Sequence, residues 1–207
     1  MKTKIRRTVV TGLIAIAGTL IPNNLLSSNC CTKPNEYSAS PEISYANRFT
    51  PLARKNIENL TNEERAELTE RLRMRESSGR ADAVGVTIRT RRVNGETSAD
   101  TIYSVGENQI NISRGGALAD YNQMHRIKFS EEDMIGPVKN RIVRNWYLFQ
   151  RIPQLLNFYG LETTVANTLT GYNTGIGNLI KAGGDAIRDF DRLPKITRDY
   201  IQNITRE

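Results

Sequence analysis

The stretch TNEERAELTERLRMRESSG, Thr61 to Gly79, carries the signals of one helix and of the segment that ends it. Thr61 precedes Glu64 by three positions, which is the pattern of a capping box: each side chain accepts a hydrogen bond from the other residue's backbone N–H. The early acidic residues also favour the positive N-terminal end of a helix. The sequence therefore predicts a helix from Thr61 to about Glu76, ended by a Ser-Ser-Gly segment.

Glu76 follows Leu68 and Leu72 at the same spacing of four, so the three side chains share one helix face. A carboxylate on an apolar face points toward the interior, where desolvation disfavours its charged form and raises its pKa. An acid of this kind can donate and accept protons near neutral pH. The alternative is a helix-end glutamate that turns toward solvent, as most glutamates do.

The remaining pattern predicts a mainly α fold with one small β-hairpin. Residues 83–112 carry many β-branched side chains around Asn94-Gly95, a strong hairpin turn signal. Helical texture returns at about Ser130, and Pro153 is expected to open a short new segment that Gly160 closes. Further helices are predicted at about 161–170, 176–190 and 194–204.

The N-terminus has the layout of an export signal. A basic stretch, MKTKIRR, precedes an apolar run from Thr8 to Ile21, which at 14 residues is short of the roughly 20 that span a bilayer. We expect residues 1–29 to be a signal peptide or membrane anchor, 30–50 a linker and 51–207 the folded domain. Cys30 is a candidate for lipidation, and the alternative is a free thiol in the linker.

Composition and charge narrow the class of protein. The 38% hydrophobic and 25% charged residues are ordinary for a globular protein, and 207 residues suit one domain. Four positive charges of the +7 total lie in the leader, which leaves about +3 for the rest. With the export signal, this small excess argues against nucleic-acid binding and is compatible with an anionic wall polymer.

The sequence offers little for metal or nucleophilic chemistry. His125 is the only histidine, and both cysteines precede the predicted domain. Zinc sites and Cys-His catalysis are therefore not expected, nor is a phosphate-binding glycine motif present. We expect no cofactor and an ordinary surface role for His125, which leaves chemistry driven by carboxylates.

Four segments, in order, resemble the motifs of soluble-type lytic transglycosylases of the lysozyme-like superfamily, over about 105 of the 207 residues. The first, ESSGRADAV from Glu76, is similar to the catalytic motif in which Glu-Ser ends a helix. The second and third are YSVGENQIN from Tyr103 and FSEEDMIGPVKNRIVRNWYL from Phe129. The fourth, ANTLTGYNTGIGNL from Ala166, resembles the family's tyrosine motif. The nearest sub-type is the small exported enzymes associated with secretion, conjugation or phages.

The resemblance implies a lysozyme-like domain with the hairpin inserted beside a substrate cleft. It makes Glu76 the general acid and base, and it places Ser77, Gln109, Tyr172 and Asn173 in the substrate-binding region. The Tyr172 hydroxyl is expected to approach the catalytic carboxyl. Three residues keep structural alternatives: Gln109 as an amide bonded to the backbone, Tyr172 as a buried tyrosine with a local hydrogen bond, and Asn173 as a residue that holds the loop.

The chain also departs from the family pattern in two places. The hairpin is longer and carries Arg89, Arg91 and Arg92, which could hold glycan or form a solvated face. Glu107 and Asn108 replace a commonly apolar pair, so a more polar cleft wall is expected.

The expected activity is cleavage of the β-1,4 bond between N-acetylmuramic acid and N-acetylglucosamine, with formation of 1,6-anhydromuramic ends. The alternatives are a lysozyme-like hydrolase, in which Glu107, Asp82 or Asp100 positions water, and a non-catalytic wall-binding scaffold of the same fold. Peptidoglycan strands are the expected partner, together with a secretion or conjugation apparatus. The site of action would be the periplasmic or extracellular face of a membrane, with the N-terminus or a lipid on Cys30 as the membrane contact.

Overall fold

The structure, a computed structural model, describes residues 49–93 and 96–206 and is mainly helical with one small antiparallel sheet. The helices are α1 Pro51–Arg54, α2 Asn62–Ser77, α3 Ala117–His125, α4 Pro137–Trp146, α5 Ile152–Phe158, α6 Val165–Thr174, α7 Ile176–Ala182 and α8 Lys195–Thr205. The strands are β1 Val84–Val93, β2 Glu96–Val105 and β3 Ile110–Asn111. The mainly α class is confirmed. The predicted leader, Cys30 and most of the predicted linker lie outside the described residues.

Helix α2 forms as the sequence predicts. Thr61 and Glu64 make the reciprocal capping box, with side-chain to backbone bonds of 3.2 and 3.0 Å. Leu68 and Leu72 are fully buried on the inner face. The helix ends where Ser78 adopts a left-handed conformation with φ of 54°. The inner face and the terminus together direct the last turn, with Glu76, toward the body of the domain.

The predicted hairpin is also confirmed, although its turn residues Asn94 and Gly95 lie outside the described residues. Strands β1 and β2 pair antiparallel over their whole length, from Val84 opposite Val105 to Val93 opposite Glu96. The short β3 extends the sheet from the β2 side. The sheet thus leads from the end of α2 to the loop 106–109.

Helices α4 and α5 are joined without a break, which corrects the expectation that Pro153 opens a separate segment. A π-helical turn, Tyr147–Arg151, connects α4 to α5, and Pro153 lies in the first turn of α5. Proline lacks an N–H and crowds the carbonyl four residues earlier, and a widened turn accommodates both effects. The helix then ends at Phe158, and Gly160 follows with φ of 67°.

Helix α6 lies at the centre of the larger hydrophobic core. Every residue from Val165 to Gly171 is buried, including Leu169, and α5, α7 and α8 pack around it. The predicted segment at 176–190 is shorter than expected, since α7 ends before the Gly183–Gly184 pair. Among the described residues, no helix is long and apolar enough to span a membrane.

Candidate active site

Glu76 lies in the last turn of α2 and is half-buried against the core. Desolvation raises the pKa of Glu76 from an ordinary 4.5 to about 7, against smaller lowering effects of a hydrogen bond from Tyr200 and the charge of Arg75. Burial wins because the carboxylate loses more hydration than one hydrogen bond and one exposed arginine return. Near neutral pH, Glu76 therefore populates both its acid and its base forms.

Tyr200 is the closest polar partner of Glu76, and the sequence patterns had not identified it. It lies on α8, is 3% exposed, and its hydroxyl donates a hydrogen bond to Glu76 Oε1. No described residue bonds Glu76 Oε2. Tyr200, Ile201 and Ile204 share the buried face of α8. A tyrosine among aliphatic residues on a buried helix face was the available signal, since a buried hydroxyl requires a partner.

Tyr172, on α6, lies in the same neighbourhood. Burial and the nearby Glu76 charge raise the pKa of the Tyr172 and Tyr200 hydroxyls well above 10. Both hydroxyls therefore remain protonated donors. Tyr172 does not donate to Glu76, however, because its hydroxyl proton goes to the backbone carbonyl of Asn108 at 2.8 Å. The structure brings Tyr172 near the carboxyl and gives the hydroxyl proton a different acceptor.

Ser77 and Gln109 both bond backbone atoms around the loop 106–109. The Ser77 hydroxyl is buried and donates to the carbonyl of Glu107 at 2.8 Å. The Gln109 amide donates to the carbonyls of Ala83 and Gly106 at 3.1 and 3.0 Å. These contacts match the structural alternative for Gln109. A direct contact of either residue with substrate stays a prediction.

Asn173 connects two helices behind the tyrosines. Its side-chain oxygen accepts a hydrogen bond of 3.2 Å from the Thr197 hydroxyl. This bond ties the end of α6, which carries Tyr172, to the start of α8, which carries Tyr200. Asn173 therefore sets the relative positions of the two tyrosines.

The expectation that Glu107 and Asn108 make a polar cleft wall is wrong. Glu107 is 3% exposed and pairs with the Arg141 side chain at 2.6 Å, and Arg73 lies 3.9 Å away. Asn108 is fully buried and bonds Asn140. Both side chains are themselves buried and paired, so they do not form a polar surface.

His125 is exposed, as expected for a surface residue, and its ring packs against Tyr121 in a tilted arrangement with 4.4 Å between ring centroids. No group of acids, histidines or cysteines among the described residues could hold a metal ion. Two surface cavities of about 410 and 340 Å³ are lined by residues other than Glu76. The predicted cleft at Glu76 stays a prediction.

Comparison of the chain with protein-family models, curated proteins and solved structures finds no match.

Proposed function

We propose that this protein is a peptidoglycan lytic transglycosylase in which Glu76 acts first as acid and then as base. One observation carries the proposal: Glu76 is a desolvated carboxylic acid with a pKa of about 7. An acid and base used in two successive steps works best when its pKa lies near the working pH. The motif resemblance around Glu76 and Tyr172 supplies the substrate class.

In the proposed reaction, protonated Glu76 gives its proton to the glycosidic oxygen between N-acetylmuramic acid and N-acetylglucosamine. The bond breaks, N-acetylglucosamine leaves as an alcohol, and the substrate's own acetamido group stabilises the positive sugar centre. The Glu76 carboxylate then removes the proton from the muramoyl C6 hydroxyl, whose oxygen closes the 1,6-anhydro ring. Glu76 ends protonated, as it began, and no water is consumed.

The surroundings of Glu76 favour a mechanism with one enzyme acid. Most glycosidases place a second carboxylate about 5 to 9 Å from the first. The causes of the raised pKa of Glu76 are burial, the hydrogen bond from Tyr200 and the charge of Arg75, and a second carboxylate is not among them. Glu107, a candidate second acid of the hydrolase alternative, is buried in its pair with Arg141. These observations support transfer to the sugar's own hydroxyl over transfer to water.

Product analysis in ¹⁸O-labelled water tests the choice between the two reactions. Purified peptidoglycan is digested with the protein, and the muropeptides are analysed by mass spectrometry. The proposal requires anhydromuropeptides, which lack the elements of one water molecule relative to the hydrolytic products and carry no ¹⁸O. Reducing ends labelled with ¹⁸O would instead establish a hydrolase.

The non-catalytic alternative is tested with Glu76→Gln, which keeps the size of the side chain and removes its proton chemistry. Release of dye-labelled wall fragments should fall to background in this variant while binding to insoluble peptidoglycan is kept. Glu67→Gln is the matched control, because Glu67 lies on the same helix with its side chain 56% exposed. Equal release by wild type and Glu76→Gln would refute the enzymatic proposal.

The location and partners belong to the same proposal. Cleavage of peptidoglycan takes place outside the cytoplasmic membrane, which fits the predicted export signal. Passage of a secretion or conjugation apparatus through the wall is the proposed setting. Fractionation of cells that express the full chain, with wild type and Cys30→Ser compared for membrane retention, tests both export and lipidation.

A further inference from the structure

Asn108 is a buried connector between two helices, and all four of its polar groups have partners. Its N–H and its side-chain amide donate to Asn140 Oδ1 at 3.2 and 2.7 Å. Its side-chain oxygen accepts from Arg144 at 3.1 Å, and its backbone carbonyl accepts from Tyr172. Asn140 and Arg144 belong to α4 and Tyr172 to α6. The carbonyl that holds the Tyr172 hydroxyl is thus itself fixed from α4.

Arg144 extends this connection to α2, the helix that carries Glu76. Its Nη1 donates to the backbone carbonyl of Thr69 at 2.9 Å as well as to Asn108. Arg144 is only 5% exposed, and its Nε has no partner among the described residues. A buried donor without a partner costs free energy, and the two hydrogen bonds of Nη1 offset part of that cost. Arg144 thus joins the loop 106–109 to α2 through buried hydrogen bonds.

The hydrogen-bond directions give the two tyrosines opposite roles. A phenol has one proton to donate, and Tyr172 gives that proton to Asn108. Toward Glu76 and any bound substrate, the Tyr172 oxygen can therefore only accept. Tyr200 donates its proton to the Glu76 carboxyl. The pair offers one donor to the catalytic acid and one acceptor beside it.

We propose that Asn108 and Arg144 are positioning residues that hold the Tyr172 hydroxyl as a hydrogen-bond acceptor for a substrate hydroxyl or amide group next to Glu76. The acceptor role rests on the proposed function, whereas the orientation of Tyr172 is a property of the protein alone. Without Arg144, the Asn108 side-chain oxygen loses its donor, and the loop 106–109 loses one of its links to α2 while the bond from Ser77 to the Glu107 carbonyl remains. The Tyr172 hydroxyl is then free to turn its proton toward Glu76 or the substrate.

The first test measures the hydroxyl directly. The ¹³Cζ resonance of tyrosine responds to its hydrogen bonding, and the signal of Tyr172 is assigned by its loss in Tyr172→Phe. Arg144→Met keeps an unbranched side chain and removes both hydrogen bonds, so the Tyr172 signal should shift. Arg151→Met is the matched control: Arg151 lies on the same continuous helix, pairs with Asp120 at 3.0 Å, and is remote from Asn108 in the bonding pattern. It should leave the signal in place.

The second test asks whether Arg144 acts through Tyr172 in catalysis. Misplacement of a contacting group by about 1 Å can lower a rate by up to about 100-fold. We expect Arg144→Met to lower kcat by 10- to 100-fold with KM changed less than threefold, and to have no further effect in the Tyr172→Phe background. Arg144→Lys keeps the charge and one donor and should retain more of the wild-type kcat.

The outcomes separate this proposal from the proposed function. An unshifted Tyr172 signal in folded Arg144→Met overturns the positioning role whether or not the protein cleaves peptidoglycan. Additive effects of Arg144→Met and Tyr172→Phe on kcat also overturn it, because they show independent action. If Arg144→Met and Arg144→Lys both fail to fold, Arg144 is structural and the proposal is wrong. If the wild type does not cleave peptidoglycan but Arg144→Met still shifts the Tyr172 signal, the orientation of Tyr172 is supported and only the enzymatic proposal is refuted.

Discussion

The burial of Glu76 makes a prediction about stability that needs no substrate. Its pKa is about 7 in the folded protein and near the ordinary 4.5 in the unfolded chain. Below pH 4.5 the acid is protonated in both states, so its contribution to the free energy of unfolding is fully present. Between pH 4.5 and about 7, Glu76 is ionised in the unfolded chain but still protonated in the folded protein. The contribution is therefore lost as the pH rises through this range.

The magnitude follows from the difference between the two pKa values. Each pH unit corresponds to about 1.4 kcal/mol, so the wild type should lose about 3 kcal/mol of stability between pH 4 and pH 9 through this one group. Glu76→Gln has no such titration. The difference in free energy of unfolding, variant minus wild type, should therefore rise by about 3 kcal/mol over this range.

Urea unfolding followed by circular dichroism at half-unit pH intervals measures this difference. The other titrating groups are common to both proteins and cancel, and any fixed penalty for the buried amide displaces the curve without changing its slope. Glu67→Gln, which replaces an exposed glutamate of the same helix, controls for the loss of a carboxylate in itself. A flat curve for Glu76→Gln would show that Glu76 is hydrated, which removes the observation on which the proposed function depends.

Two further substitutions test the surroundings of Glu76. Tyr200→Phe removes a hydrogen bond to a charged group, which is worth about 1.5 to 3 kcal/mol. The pKa of Glu76, followed by ¹³C NMR, should therefore rise by about 1 to 2 pH units. An unchanged or lower pKa would contradict the contact. Gly106→Ala would place a methyl group 2.1 Å from the Met134 carbonyl at φ of 82°, whereas Gly115, at φ of 76°, has no atom within 4 Å of that position. Thermal unfolding should therefore show a much larger loss for Gly106→Ala than for Gly115→Ala, and equal losses would refute close packing of the loop.

The local patterns of the sequence predict the elements that carry the site. The capping box of α2 and the spacing of Leu68, Leu72 and Glu76 depend on residues within one helix, and helix geometry converts that spacing directly into a shared face. The hairpin follows in the same way from β-branched residues around Asn94-Gly95. Such features need no knowledge of how distant elements pack.

Most of the features that the sequence did not predict depend on long-range contacts. Tyr200 bonds Glu76 across 124 positions and Tyr172 bonds Asn108 across 64, so neither pairing leaves a local pattern. The sequence around Glu107 resembles that of a surface acid, because its pairing with Arg141 of α4 joins residues 34 positions apart. The uninterrupted helix through Pro153 depends on a π turn, which residue propensities do not encode.

One variant, Glu76→Gln, separates the effect of Glu76 on stability from its effect on activity. If this side chain were retained for stability, replacing it would weaken the fold and any loss of activity would follow from unfolding. If it is retained for chemistry, the fold bears an energetic penalty at neutral pH that the replacement removes. Glu76→Gln should therefore be inactive. Its free energy of unfolding minus that of the wild type should be larger at pH 8 than at pH 4. Such opposite changes are typical of residues maintained for function. An inactive variant whose stability relative to wild type falls as the pH rises would contradict a desolvated acid, even if product analysis showed anhydromuropeptides.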